Sequence, residues 1–266
     1  MSPSTAAPAG LVVVGAGRVG SAFLRAAAVA GVPTTTVGRG DSAALSVPHP
    51  GRPILVCTRA DDLAGVIAAT SPENRADLVF VQNGMLRPLL AAHGLADNTQ
   101  GLVYFAATSR TERVEPGAPS LFWGPHAAAI VALLAADAIP ARVVPDRAEF
   151  SREIGVKLAW NIIFGLLGER HAEPVGETVR RHRQELTALA VEIAPVLARG
   201  LDTTIPVRPL VERLVAYSLS IPTFRASVKE LPWRNGWVAT AARTFGLATP
   251  LHDRLLRETG HGTGAR

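Results

Sequence analysis

Gly15-Ala16-Gly17-Arg18-Val19-Gly20 stands directly after the β-branched run Leu11–Val14 and directly before the alanine-rich stretch Ser21–Ala30. A strand that ends in this glycine spacing and passes at once into a helix has few folds open to it. The first glycine allows a tight turn, the second lets the backbone approach a ligand closely, and the third lets the helix pack on the strand. The helix directs unpaired N–H groups and the positive end of its dipole back at the loop, which suits a pyrophosphate. Spacing of this kind is a weak signal alone; its place between strand and helix makes it the dinucleotide-binding fingerprint.

The pattern repeats along the first half. Thr34–Val37, Ile54–Cys57, Leu78–Val81 and Leu102–Phe105 are further short runs, separated by helical or loop segments. Buried runs alternating with helices predict a parallel sheet. Pro119–Phe122 and Arg142–Val144 read as strands added at its edge. Past Pro145 the character changes: Glu149–Gly168, Val175–Arg199, Val207–Leu219, Trp233–Phe245 and Leu251–Arg257 carry helical periodicity and few strand signals. The expected fold class is α/β, a Rossmann-type doubly wound parallel sheet with a C-terminal all-helical domain. Residues 1–146 would form the dinucleotide-binding domain and 147–266 the helical, substrate-binding domain.

The segment after the second strand bears on which dinucleotide is taken. An Asp or Glu there grips the ribose 2′-hydroxyl of NAD. Here Val37 is followed by Gly38-Arg39-Gly40, with Asp41 displaced beyond them. An arginine between glycines suits the 2′-phosphate of NADP through charge-assisted, bidentate contacts; the plain alternative is a loop arginine.

Composition narrows the function classes. The 48% hydrophobic and 18% charged content is that of a globular protein with ample core. The formal charge of +5 comes largely from arginine and fits phosphorylated or carboxylate ligands. No basic stripe interleaved with aromatics appears, and Arg180, Arg181 and Arg183 read as a solvated helix face, so no nucleic-acid partner is expected. The single cysteine, Cys57, excludes an internal disulfide framework and a cysteine-cluster metal site, and the histidines show no ligand spacing; no metal is expected. Residues 1–8 lack the features of a signal peptide, and no apolar stretch is long enough to span a membrane, so the expected location is cytoplasmic.

One polar pair interrupts the helical half. Lys157 and Asn161 lie four residues apart in an otherwise apolar run, on one face of a helix. A lysine on such a wall either snorkels at a domain edge or is retained for use. Lys157 also lies just past the middle of the chain, where the two domains are expected to meet.

Taken in order, several segments resemble the ketopantoate reductases (2-dehydropantoate 2-reductases), over nearly the whole chain. Beyond the glycine loop they are Cys57-Thr58-Arg59-Ala60, Gln82-Asn83-Gly84-Met85, Ala106-Ala107, Trp123-Gly124-Pro125, Lys157-Leu158-Ala159-Trp160-Asn161, and Ser218-Leu219 followed by Glu230 and Asn235-Gly236. The resemblance implies NADPH-dependent reduction of a 2-keto acid, ketopantoate or a less polar analogue, in pantothenate biosynthesis. Gly15, Ala16, Gly17, Arg18, Val19, Gly20, Arg39, Thr58, Arg59, Asn83 and Ala107 would bind the cofactor. Lys157 would contact the substrate and donate the proton that the developing alkoxide needs. Glu230 would orient Lys157 or bind cofactor; Asn83, Asn161 and Ser218 would bind the substrate. Plainer readings stand beside these: Asn83 as an Asn-Gly turn residue, Ser218 as helix padding, Glu230 as a surface charge.

This chain departs from the family pattern at three places. Gly165 stands where a further asparagine is usual, Val175-Gly176 replaces an Asn-Gly, and Pro232 replaces an acid after Glu230. Loss of two amides predicts a more apolar and larger pocket. The alternatives are a relative reducing a different ketone or an imine in specialised metabolism, a non-catalytic NADP(H) sensor, and an NAD-dependent dehydrogenase. The expected partner is a small-molecule keto acid. A homodimer through Leu186–Leu197 is the further possibility, against the simpler reading of that stretch as core.

Overall fold

Leu11–Val14 forms β1 and is buried at every residue, as a run without a polar face requires. In this computed structural model the described residues are 7–38, 40–41, 45–48, 50–105, 114 and 117–262. They belong to two compact units, Met1–Phe150 and Ser151–Arg266.

In the first unit β1 pairs in parallel with β2 (Thr34–Val37) on one side and β3 (Ile54–Val56) on the other. Beyond β3 follow β4 (Leu78–Phe80), β5 (Thr99–Leu102), β6 (Ser120–Trp123) and β7 (Ala141–Val143), giving a seven-stranded sheet of order β2-β1-β3-β4-β5-β6-β7. The β5–β6 pair is antiparallel and every other pair parallel. The chain winds outward from β1 to β2 and then crosses back to β3, so the winding direction reverses between β1 and β3. Doubly wound sheets bind ligands at the carboxyl ends of the strands at such a reversal. Val14 and Val56 pair in register there. Gly15 and Cys57 consequently leave the sheet side by side, with Gly15 N–H donating to Val37 O at 3.0 Å and Cys57 N–H to Val14 O at 2.8 Å.

Helix α1 (Arg18–Val29) buries Gly20, Ala22, Phe23, Ala26 and Ala27, a stripe at helical spacing. It packs against α4 (Ala127–Ala136) over a core that includes Val13, Leu55, Val79 and Phe122. The shorter helices α2 (Leu63–Ala69) and α3 (Arg87–Ala92) complete the connections. The strand expected at Leu102–Phe105 lies at Thr99–Leu102 instead. Its sequence, Thr-Gln-Gly-Leu, hides it from a search for apolar runs. Gly101 is required there, because a Cβ would fall 2.3 Å from the ring of Phe122 on the neighbouring strand.

The second unit is helical: most of α5 (Arg147–His171), then α6 (Val175–Arg181), α7 (Arg183–Leu201), α8 (Val207–Ser220), α9 (Asn235–Phe245) and α10 (Pro250–Glu258). Helix α7 packs against α6, α8, α9 and α10. Leu186, Leu189, Ala190, Ile193, Ala194, Val196 and Leu197 are all buried within this unit, so the stretch offered as a dimer face is core. The single helix expected over Val175–Arg199 is broken at His182, whose backbone (φ −119°, ψ 30°) ends α6 and begins α7. The helix expected from Trp233 begins at Asn235, after a 3-10 turn over Leu231–Trp233. Among the described residues no helix is long and apolar enough to cross a membrane.

Candidate active site

The loop after β1 forms one wall of a cavity of about 690 Å³, lined by Gly15, Ala16, Gly17, Val37, Gly38 and Thr58 among others. Gly15 takes φ +89°, and a Cβ on it would sit 3.1 Å from Thr58 Cγ2. A Cβ on Gly20 would fall 2.1 Å from Gly15 O, so α1 can start this close to the strand only with glycine there. Around Gly17 nothing lies within 4 Å of a Cβ position, leaving open space before the helix. No side chain caps the N-terminus of α1 and no acid stands in its first turn. Those N–H groups therefore face the cavity ready for an anion.

Thr58 Oγ1 is buried without a hydrogen-bond partner, an acceptor and donor suited to a bound polar ligand. Gln82, two residues past β4, donates from Nε2 to Val56 O (2.7 Å) and Thr58 O (3.2 Å), which holds the segment carrying Thr58 against the sheet. Asn83 is half-buried on the turn that follows. Arg59 is 74% exposed in its side chain and pairs loosely with Asp61, leaving its charge free to move. Arg18 is exposed and Val19 half-buried at the start of α1. Arg39 and Ala107 lie outside the described residues. Gly38 is close to Asp41, whose Oδ2 would be 3.1 Å from a Cβ at that position. The acid displaced in sequence thus returns to the end of β2. Glycine spacing, open room at Gly17, an uncapped helix and an unpartnered Thr58 hydroxyl together fit a dinucleotide.

The second unit holds the polar pair. Of the 27 Lys and Arg residues only two are lysines, Lys157 and Lys229. Lys157 is half-buried on α5. Desolvation, helped by the charge of Arg234 and opposed by Glu230, pulls its pKa from 10.5 to about 7. An arginine would stay charged at this position, whereas a lysine can exchange a proton near neutrality. Asn161, one turn on, donates from Nδ2 to Lys157 O at 3.0 Å. Its Oδ1 faces Arg234 Nη1 at 3.4 Å.

Glu230 adopts a left-handed backbone (φ 49°, ψ 48°), a costly conformation for a non-glycine residue. Pro232, where an acid was expected, sits inside the 3-10 turn and suits its backbone. The turn brings Arg234 Nη2 within 2.5 Å of Glu230 Oε2. Arg234 is a charged residue of this site that sequence reasoning missed. It is 6% exposed, and the signal available was an arginine directly before the Asn-Gly pair. Asn235 in turn donates to Ile162 O (3.2 Å), which anchors α9 on α5.

Ser218 is placed differently from expectation. It is 0% exposed, accepts a hydrogen bond from Trp160 Nε1 (2.9 Å), and donates to Leu214 O (2.8 Å). A hydroxyl engaged in this way supports Trp160 and does not present itself to a substrate. Trp160 also stacks on Phe164 and meets Tyr217 and Phe224, so an aromatic cluster adjoins the Lys157 face of α5.

Gly165 and Val175-Gly176 do not open the room expected of them. A Cβ on Gly165 would lie 3.1 Å from Ser227 O, and one on Gly168 2.4 Å from Ala226 O. Backbone of residues 226–228 occupies the room that larger side chains would take. Val175 is fully buried, and its N–H donates to Phe224 O, while Gly176 N–H donates to Pro222 O. The amides are replaced by chain, not by space.

Elsewhere in this unit His171, His182 and Glu185 bring three ligand-type atoms within 4.8 Å of one another, a grouping the sequence spacing did not suggest. The two imidazoles stack 3.5 Å apart with planes 7° from parallel, so no single ion can lie in both ring planes. Arg170 and Arg181 already pair with Glu185 and Glu173. The cluster is a strut between the end of α5 and the start of α7.

No family model matches this sequence, and no curated protein matches it. Solved structures do. A PanE/ApbA-family ketopantoate reductase from Ralstonia eutropha JMP134 aligns with TM-score 0.73 at 18% identity, over 94% of this chain and 97% of that one. D-mandelate dehydrogenase in complex with NADH aligns with TM-score 0.72 at 13% identity, over 94% and 97%. A dimeric ketopantoate reductase from Staphylococcus aureus aligns with TM-score 0.69 at 15% identity, again over 94% and 97%. At such identities the likeness speaks to architecture, and over nearly its whole length the chain has the fold of the ketopantoate reductases.

Proposed function

We propose that the protein is an NADPH-dependent reductase of a 2-keto acid, with Lys157 as proton donor. The observation that carries this reading is a lysine with pKa near 7, one turn from Asn161 and under the influence of Glu230. The structural neighbours, two ketopantoate reductases and a mandelate dehydrogenase, support the same reaction class. When bound, the nicotinamide supplies hydride to the carbonyl carbon. Negative charge then develops on the carbonyl oxygen, and the Lys157 ammonium neutralises it by giving up its proton. Asn161 keeps one amide N–H beyond its bond to Lys157 O, available to the substrate. Glu230 counters part of the desolvation that would otherwise strip the proton from Lys157 too early.

The first loop and Thr58 would hold the pyrophosphate, with Gly15, Ala16, Gly17, Arg18, Val19, Gly20 and Arg59 around it and Asn83 near the nicotinamide. Ala107 and Arg39 complete the proposed cofactor set, Arg39 on the 2′-phosphate. Ketopantoate is one substrate within the class. The aromatic cluster beside Lys157 favours acids with an apolar group next to the carbonyl. A cytoplasmic location and a homodimer, as in the Staphylococcus aureus neighbour, belong to the same reading.

A second reading of the cofactor rests on Asp41, whose carboxylate returns to the end of β2. An acid there binds the 2′-hydroxyl of NADH.

The test is oxidation of NADPH and of NADH by the purified protein with ketopantoate, phenylglyoxylate and bulkier 2-keto acids, alongside Lys157→Ala. Turnover that falls about 10²–10⁴-fold in the variant supports Lys157 as proton donor. Undiminished turnover in Lys157→Ala overturns that role, and preference for NADH overturns NADPH.

A further inference from the structure

Beside half-buried Lys157 the candidate site contains a buried cation. Arg234, at the start of α9, is 6% exposed. It donates from Nη2 to Glu230 Oε2 at 2.5 Å and reaches Asn161 Oδ1 from Nη1 at 3.4 Å. Its Nε is buried without a hydrogen-bond partner. Burying a guanidinium is costly unless its donors are engaged, and here engagement is incomplete. Both of its partners bear on Lys157. Asn161 bonds back to Lys157 O, and the Glu230 charge acts on the Lys157 amine.

We propose that Arg234 is a positioning residue for the chemistry of Lys157, holding Glu230 and Asn161 in place and setting a fixed positive charge against the amine. This rests on reading Lys157 as the proton donor. Arg234, directly before α9, and Glu230, on the turn ahead of it, act on Lys157 with opposite sign. By binding Glu230 through its own guanidinium, Arg234 keeps that carboxylate from serving Lys157 as a full counter-charge. A lysine so placed gives up its proton readily in reduction and accepts one in the reverse oxidation, where the donor acts as base.

The scarcity of lysine makes a direct test simple. Selective ¹³C-lysine labelling gives two side-chain signals to follow by NMR across pH, those of Lys157 and the exposed Lys229. The Lys157 midpoint is expected to rise by about one unit or more in Arg234→Met, to stay near its parent value in Arg234→Lys, and to fall in Glu230→Gln. The pH dependence of kcat/KM for keto-acid reduction would move in parallel. An unchanged Lys157 midpoint in folded Arg234→Met, or an upward shift in Glu230→Gln, would overturn the proposal. If the midpoints move as expected but no variant reduces any keto acid, Arg234 still sets the Lys157 environment and it is the reductase reading that fails.

Discussion

The Trp160 indole N–H donates to the Ser218 hydroxyl across 2.9 Å, and that hydroxyl passes its own proton to Leu214 O at 2.8 Å. The pair fixes the Trp160 ring at the centre of the aromatic cluster it forms with Phe164, Tyr217 and Phe224. Ser218→Ala would leave the indole N–H unpartnered, with an expected loss of about 1–2 kcal/mol in unfolding free energy. The KM for the keto acid should hardly change. A hydroxyl that held the substrate carboxylate would instead raise KM about tenfold or more on removal. Urea unfolding and steady-state kinetics on the same variant separate the two roles.

Two glycines of the first loop should fail in different ways. Gly20→Ala forces a Cβ to 2.1 Å from Gly15 O, and overpacking of that kind costs about 1–3 kcal/mol. Gly17→Ala meets nothing within 4 Å, so the fold should hold. Its methyl group would enter the space where phosphate must approach, weakening dinucleotide binding about tenfold or more. Thermal unfolding and NADPH titration by fluorescence check both; normal binding by Gly17→Ala would remove the loop from the cofactor site.

The first unit was largely legible because its signals are local. The loop at Gly15–Gly20 announces strand, turn and helix in one short segment, and the apolar runs of β1, β3 and β4 have no other use. β5 escaped because its fitness lies across the sheet, in Gly101 making room for Phe122. The candidate site was legible for Lys157 and Asn161, which share a helix face. It was not legible for Arg234 or for the true partners of Ser218, since both depend on which helices meet. Gly165 shows the limit most plainly: a missing side chain reads in sequence as space, and only the path of residues 226–228 shows that the space is filled.

Gly165→Asn tests that last point. Restoring an amide would press on Ser227 O, 3.1 Å from the new Cβ. The expected result is a loss of about 1–3 kcal/mol in stability with no gain in ketopantoate turnover. A stable variant with improved turnover would show that the segment yields and that the position belongs to the substrate pocket.

Two depressed bases give the protein two separate pH windows. His252 is 0% exposed, and its pKa is lowered by burial from 6.5 to about 4. The Asn235 Nδ2 group lies 3.4 Å from its Nε2, a donor facing a nitrogen that protonation would turn into another donor. Between pH 6.5 and 4 the unfolded chain binds a proton that the native chain refuses, so stability falls as pH falls through that window. The full contribution is about 3 kcal/mol, and His252→Gln should remove it, gaining on the parent as pH drops from 7 to 4. For Lys157 the same sign applies between 10.5 and about 7. Its penalty is absent above the unfolded value and complete below the folded one. Lys157→Met should therefore exceed the parent in stability most below pH 7 and lose its advantage toward pH 10.5. Denaturant unfolding at several pH values reads both differences, and a Lys157→Met advantage independent of pH would mean that the native amine titrates like any exposed lysine.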